Sequence, residues 1–174
     1  MKKLALIYWP KGGSVEHAAK IIKEKLTDFS VSFLCVEDIS ADQLSDFDVF
    51  IFGGSTVGAD YWSNKETEMA WRPFFAEMEQ KNTRLDGKKG ALLGLGNQVL
   101  YPDNFVDDMM YMKKKLEAAG LQIIGETSTD GYAFNESKAI VDDKFVGLAL
   151  DEDSEPELTN QRIDSWLSNI SGKL

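Results

Sequence analysis

A chain of 174 residues is sized for one compact domain, expected to span residues 1–174, and its 29 acidic against 19 basic side chains leave a net charge of −10 that repels nucleic acid. One cysteine, Cys35, and one histidine, His17, exclude an internal disulfide, a thiolate cluster and a histidine-based metal site, so redox chemistry would need a bound organic group. No apolar run reaches the ~18 to 20 residues of a membrane span, and Met1-Lys2-Lys3 leads to no small-residue cleavage site, so a soluble, cytoplasmic protein is expected.

The first predicted strand covers 4–9, and its apolar run stops at the loop Pro10, Lys11, Gly12, Gly13, Ser14 and Val15. Val15, Ala18, Ala19, Ile22 and Leu26 then form one helical stripe. Strands are predicted at 31–36 and 49–52, the latter running into Gly53-Gly54-Ser55-Thr56-Val57-Gly58-Ala59-Asp60-Tyr61-Trp62. The stretch 56–70 is expected to be mainly loop. Pro73 suits the first turn of a helix that begins near Trp71 and packs through Phe74, Phe75 and Met78. A strand at 91–95 leads to Gly94-Leu95-Gly96-Asn97-Gln98-Val99-Leu100-Tyr101 and a stripe of Phe105, Met109, Met112 and Leu116. A strand at 121–124 and a last helix carrying Leu158, Ile163, Trp166, Leu167 and Ile170 complete the pattern.

The strands are continuous apolar runs rather than alternating ones, which marks strands buried on both faces. Strand and helix in repetition imply a doubly wound α/β fold with a parallel sheet and right-handed crossovers. Ligands of such folds sit beyond the carboxyl ends of the strands, where the strand order reverses. The loops after the strands at 4–9, 49–52 and 91–95 all lie at that edge. In the first, glycines and the N–H groups opening a helix suit a phosphate, although a plain turn capped by Ser14 explains the same residues. The second sets small residues before aromatics, as a flat ring needs, and the third adds backbone donors and Tyr101.

Gly94-Leu95-Gly96-Asn97-Gln98 with Tyr101 and Phe105 resembles the glycine-x-glycine-aspartate-glutamine loop and flavin-stacking tyrosine of long-chain flavodoxins. Gly131-Tyr132-Ala133-Phe134, Ser137-Lys138-Ala139, the run from Phe145 to Asp153, and Leu158-Thr159 with Arg162-Ile163 and Trp166 are similar to that family's C-terminal signature. The resemblance implies a five-stranded sheet in the order 2-1-3-4-5, with the fifth strand split by an insertion over 128–144 and resumed over 145–149. It implies one FMN held by Pro10, Lys11, Gly12, Gly13, Ser14, Val15, Ser55, Thr56, Val57, Gly58, Ala59, Trp62, Gly94, Leu95, Gly96, Asn97, Gln98 and Tyr101. There is no catalytic residue and no metal in such a carrier.

The first half departs from the family pattern. Where a T-x-T-G-x-T phosphate loop is usual, this chain has Pro10, Gly12, Gly13 and Val15, with Ser14 the one hydroxyl; the phosphate is therefore expected to rest chiefly on backbone N–H groups. Val57 stands where tryptophan is frequent, and Asn97 where aspartate is usual. The implied function is a monomeric low-potential carrier of single electrons, served by basic redox proteins such as a flavodoxin or ferredoxin reductase. An NAD(P)H:quinone or flavin reductase on the same fold is the alternative. A phosphorylated receiver domain of this topology would need acidic residues where Tyr8-Trp9-Pro10 and Gly53-Gly54-Ser55 stand.

Overall fold

The computed structural model describes residues 1–56 and 70–174. Strand β1, Lys3–Tyr8, is buried from Leu4 onward, because β2, Ser30–Cys35, and β3, Val49–Ser55, pair with it in parallel on its two sides. Helix α1, Ser14–Lys25, returns from the end of β1 and buries Val15, Ala18, Ala19 and Ile22. Gly13, not Ser14, occupies its capping position and supplies no side-chain bond; Ser14 is the first helical residue.

Strand β4, Lys89–Leu95, lies beside β3 along its whole length, Val49 opposite Lys89 and Ser55 opposite Leu95. Helices α2, Trp71–Gln80, and α3, Asp108–Ala118, cover one face of the sheet, while α1 and α4, Thr159–Ile170, cover the other. Pro73 falls in the first turn of α2, where its missing N–H costs no helical bond.

The strand–helix repetition breaks once. Between β2 and β3 the chain makes two short 3-10 segments, Val36–Asp38 and Ala41–Asp46, instead of an α-helix. This stretch is rich in Asp and Ser, whose side chains compete for nearby backbone groups and favour caps and short turns. Ser40 and Gln43 form a reciprocal capping box, the Ser40 N–H donating to Gln43 Oε1 at 2.8 Å. The segments still bury Val36, Ala41 and Leu44 against the α2 side of the core.

The sheet order is β2-β1-β3-β4-β5, and the fifth position is shared. Strand β5, Gln122–Ile124, pairs with Lys89 to Ala91, and a later strand, Leu148–Leu150, pairs with Leu93 to Leu95 of the same β4. The insertion starts earlier and ends later than the sequence suggests. Its strands β6, Thr127–Ser128, β7, Ile140–Val141, and β8, Lys144–Phe145, make a small antiparallel sheet, so Phe145 belongs there and the fifth strand resumes only at Leu148 as β9. Two contacts enforce the shift. The Phe145 ring is fully buried among Phe105, Tyr132 and Phe134, and at Gly147 a Cβ would lie 2.4 Å from the Leu92 carbonyl oxygen. Only glycine lets the chain cross so close to β4.

Candidate functional site

The first, second and third predicted loops converge at the carboxyl edge of β1, β3 and β4. Ser14, Ser55, Thr56, Leu95, Gly96 and Asn97 line a cavity of about 90 Å³ there, with Glu152 and Asp153 closing it. That volume is well below the ~300 Å³ or more of an ordinary cofactor site, and the segment that follows Thr56 lies outside the described residues. Val57, Gly58, Ala59 and Trp62, expected around the ring, fall in that segment.

The first loop turns through Gly12, whose φ of +78° suits glycine. Gly12 N–H donates to Glu16 Oε2 at 2.6 Å, and Glu16 also pairs with Lys20 at 2.6 Å. Both contacts, the lysine first, hold the Glu16 carboxyl below its ordinary range. The N–H groups of Gly13, Ser14 and Val15 donate to no described residue, leaving three backbone donors at the positive end of α1. Lys11 is turned to Asp38, 2.8 Å away, and this pairing raises its pKa. The Val15 side chain is buried, its Cγ1 3.5 Å from the Cβ position of Gly53. Only its backbone faces the loop.

At the end of β3, Thr56 N–H donates to the Leu95 carbonyl at 3.0 Å and carries the pairing of β3 and β4 one residue further. Its hydroxyl donates to Asp108 Oδ1, and the Asp108 N–H returns a bond to Thr56 Oγ1 at 2.9 Å. Desolvation pushes the Asp108 carboxyl up to about 7, against the opposing pull of the Thr56 bond. Sequence reasoning missed both Asp108 and Glu16. The signal available was an acidic residue opening each of α1 and α3, which also reads as ordinary helix-dipole pairing.

In the third loop several residues expected at the flavin also make structural contacts. A Cβ on Gly94 would lie 2.6 Å from Met109 Cγ, and one on Gly96 2.9 Å from Phe105 Cδ2. These glycines admit α3 and Phe105 to the sheet, and Gly94 and Leu95 are buried. Gln98 is 2 % exposed. Its N–H donates to Asp151 Oδ2 at 3.0 Å and its Nε2 to Glu155 Oε2 at 2.8 Å, while its Oε1 accepts the Ala133 N–H at 2.5 Å. Gln98 therefore ties this loop to the insertion and to the end of β9, and its polar side chain is turned away from the cavity.

Asn97 Oδ1 accepts the N–H groups of Val99 and Leu100 at 3.1 and 2.8 Å, and its Nδ2 donates to Asp153 Oδ2 at 3.2 Å. The neutral amide thus serves as acceptor for the turn and donor to a carboxylate. Tyr101 N–H donates to the Asn97 carbonyl at 2.9 Å. Its half-buried ring stacks on no other described ring, and its hydroxyl has no described partner. His17 stands 4.0 Å from Glu152, on the outer side of the first loop. Among the described residues no cluster of His, Cys, Asp or Glu is arranged for a metal, and no helix is long and apolar enough to cross a membrane.

Residues 6–166 match the flavodoxin family model. The flavodoxin of Nostoc sp. is 35% identical over 172 residues, covering 99% of this chain and 97% of its own length. That of Synechocystis sp. is 37% identical over 170 residues, covering 98% and 96%. The crystal structure of Fusobacterium nucleatum flavodoxin bound to flavin mononucleotide superposes with a TM-score of 0.87 at 28% identity, over 100% of this chain and 99% of that one. With the sheet order, the shared fifth strand and the three loops at one edge already in place, these matches make the chain a member of the flavodoxin family.

Proposed function

We propose that the chain binds one FMN at the carboxyl edge of β1, β3 and β4 and carries single electrons between redox proteins. The observation that carries this reading is the convergence of Ser14 from the first loop, Ser55 and Thr56 from the end of β3, and Leu95, Gly96 and Asn97 from the third loop on one cavity at that edge, next to the N–H groups of Gly13, Ser14 and Val15 that donate to no described residue. The residues fit the group. The three N–H groups and the α1 dipole would hold the phosphate, with Ser14 adding one hydroxyl. Asn97 and Gly96 would border the ring through their backbone, and Tyr101 would stack on one face. Bound there, FMN supplies reversible one-electron chemistry; the protein supplies orientation, partial exclusion of water and surrounding charge.

The electron-carrier reading is favoured over a reductase because the relatives that match nearly end to end bear the name flavodoxin. The net charge of −10 fits basic partner proteins docking at low ionic strength, and a monomer suits a carrier that meets several partners in turn. Absorption spectra of the purified protein before and after adding FMN, with a one-electron redox titration, test the reading. A flavin spectrum at one per chain with two separate one-electron steps is expected. Turnover of NAD(P)H with a quinone and no separate reductase would replace the carrier by the enzyme.

A further inference from the structure

Asp108 is an ionisable group that the electron-carrying role does not by itself require. It opens α3, and its carboxyl end points inward onto β3. A Cβ on Gly54 would lie 2.6 Å from Asp108 Oδ2, so the carboxyl occupies the space that a side chain at 54 would fill. Thr56, two residues along, closes a two-point clip with it through one donated and one accepted hydrogen bond. Thr56 is also the last described residue before the segment 57–69 and lines the cavity at the sheet edge.

We infer that Asp108 is a positioning residue of the flavin site: lodged over Gly54 and clipped to Thr56, it takes up a proton when the site gains its second electron. The inference rests on the FMN reading above. Its charge balance is simple. One electron enters from an external reductant, one proton from bulk water forms an O–H bond on the Asp108 carboxyl, and no bond breaks in the protein.

The surroundings favour that uptake. The Asp108 carboxyl is already held near about 7 by loss of water, so a further negative charge nearby raises its affinity for a proton within the ordinary working range. Among the described residues, the groups that face it are few. Gly54 and Thr56 come from β3, and Met112 is its neighbour above Gly54. Asp107 is the other described ionisable group acting on it, and it raises the pKa further. Asp107 itself is engaged by the Lys138 N–H at 2.7 Å and Asn104 Nδ2 at 3.4 Å. The segment 57–69 carries Asp60, Lys65, Glu66 and Glu68 and lies outside the described residues.

The test is the midpoint potential of the second one-electron reduction of the FMN-loaded protein, measured against pH, in the native chain, Asp108→Asn and Gly54→Ala. In the native chain the potential should fall with rising pH above about 7, approaching the 59 mV that a tenfold change means for a one-electron step. Asp108→Asn keeps the shape and the acceptor oxygen for Thr56 but cannot take a proton, so this segment of the profile should vanish. Gly54→Ala keeps the charge and displaces the carboxyl, so the segment should move toward the pH range of ordinary carboxylates or disappear. The slope left in Asp108→Asn, which has no carboxyl to titrate, is that of the flavin's own protonation and is read directly from that variant. Profiles of Asp108→Asn or Gly54→Ala that superimpose on the native one overturn the inference and leave FMN binding standing. Absence of a flavin spectrum in the native chain overturns both.

Discussion

The carboxylate of Glu16 accepts the N–H of Gly12 at 2.6 Å, so the first loop, where the phosphate is proposed to bind, already holds an anion of its own. A phosphate reaching the same loop meets three backbone N–H groups that donate to no described residue, and one like charge. Glu16→Gln keeps an acceptor for Gly12 and removes the charge. FMN should then bind several-fold more tightly while riboflavin, which has no phosphate, is unchanged. Fluorescence titration of both flavins decides this; a weaker FMN complex in the variant would mean that Glu16 organises the loop more than it repels the ligand.

Lys11 offers the opposite charge but is held by Asp38 at 2.8 Å. Lys11→Ala should therefore reduce FMN affinity only modestly and leave the preference over riboflavin in place. Collapse of that preference in equilibrium titrations would transfer the phosphate from the backbone to the lysine.

Asn97→Asp would place a carboxylate where an amide now donates to Asp153 Oδ2 at 3.2 Å. The acceptor for Val99 and Leu100 survives, but two like charges then face one another. The FMN-free protein should lose about 0.5 to 1 kcal/mol at low salt, less as salt rises. With FMN bound as proposed, the second one-electron potential should fall, because a negative charge is added near the ring. Urea unfolding and redox titration read the two effects separately, and a rise in potential would show that altered hydrogen bonding outweighs charge.

The raised pKa of Asp108 also fixes a pH dependence of folding. The unfolded carboxyl ionises near its ordinary value of 3.8, the folded one near about 7. The folded state thus binds the proton more tightly, so stability is fully present below about pH 4 and is lost as pH rises to about 7. The loss is of the order of 2 to 4 kcal/mol at most. Asp108→Asn should abolish this slope and make the FMN-free protein more stable than the native chain at pH 8. Equal urea midpoints there would show that the carboxyl retains its water.

Tyr101 and Gln98 were both expected to touch the flavin; Gln98 is bonded inward to Asp151, Glu155 and Ala133, while the Tyr101 hydroxyl has no described partner. Tyr101→Ala should weaken FMN by roughly 1 to 3 kcal/mol with little change in stability. Gln98→Ala should instead cost about 2 to 3 kcal/mol of stability, since the Ala133 N–H and the Glu155 carboxylate lose their buried partner. Thermal melts beside flavin titrations distinguish the two, and the reverse pattern would exchange their roles.

Much of this was legible in the chain because apolar runs and helical stripes record burial directly. The runs that became β1, β3 and β4, the stripe of Val15, Ala18, Ala19 and Ile22, and the start of α2 at Trp71 all follow from periodicity and one proline. The shared fifth position followed from resemblance, since the three-residue strands β5 and β9 leave almost no periodic signal. The glycines carry two meanings for a physical reason. A missing side chain beneath a ligand and a missing side chain beneath a helix look alike in sequence, and Gly94 and Gly96 serve Met109 and Phe105. Partners such as Asp108 to Thr56 depend on chain crossings that no local pattern encodes.

The close crossing at Gly147 gives the insertion an unusual kind of attachment. Ile124 sits opposite Ala91 and Leu148 opposite Leu93, so both ends of the inserted stretch are rooted on β4 with only Leu92 between them. The insertion is thus a graft whose removal leaves an almost continuous strand: a single residue joining Ile124 to Leu148 would span the gap. What such an excision would strip away is the covering of Phe105 by Tyr132, Phe134 and Phe145, together with the Ala133 anchor of Gln98. The graft can be lost without breaking the sheet, but not without loosening the loop that carries Tyr101.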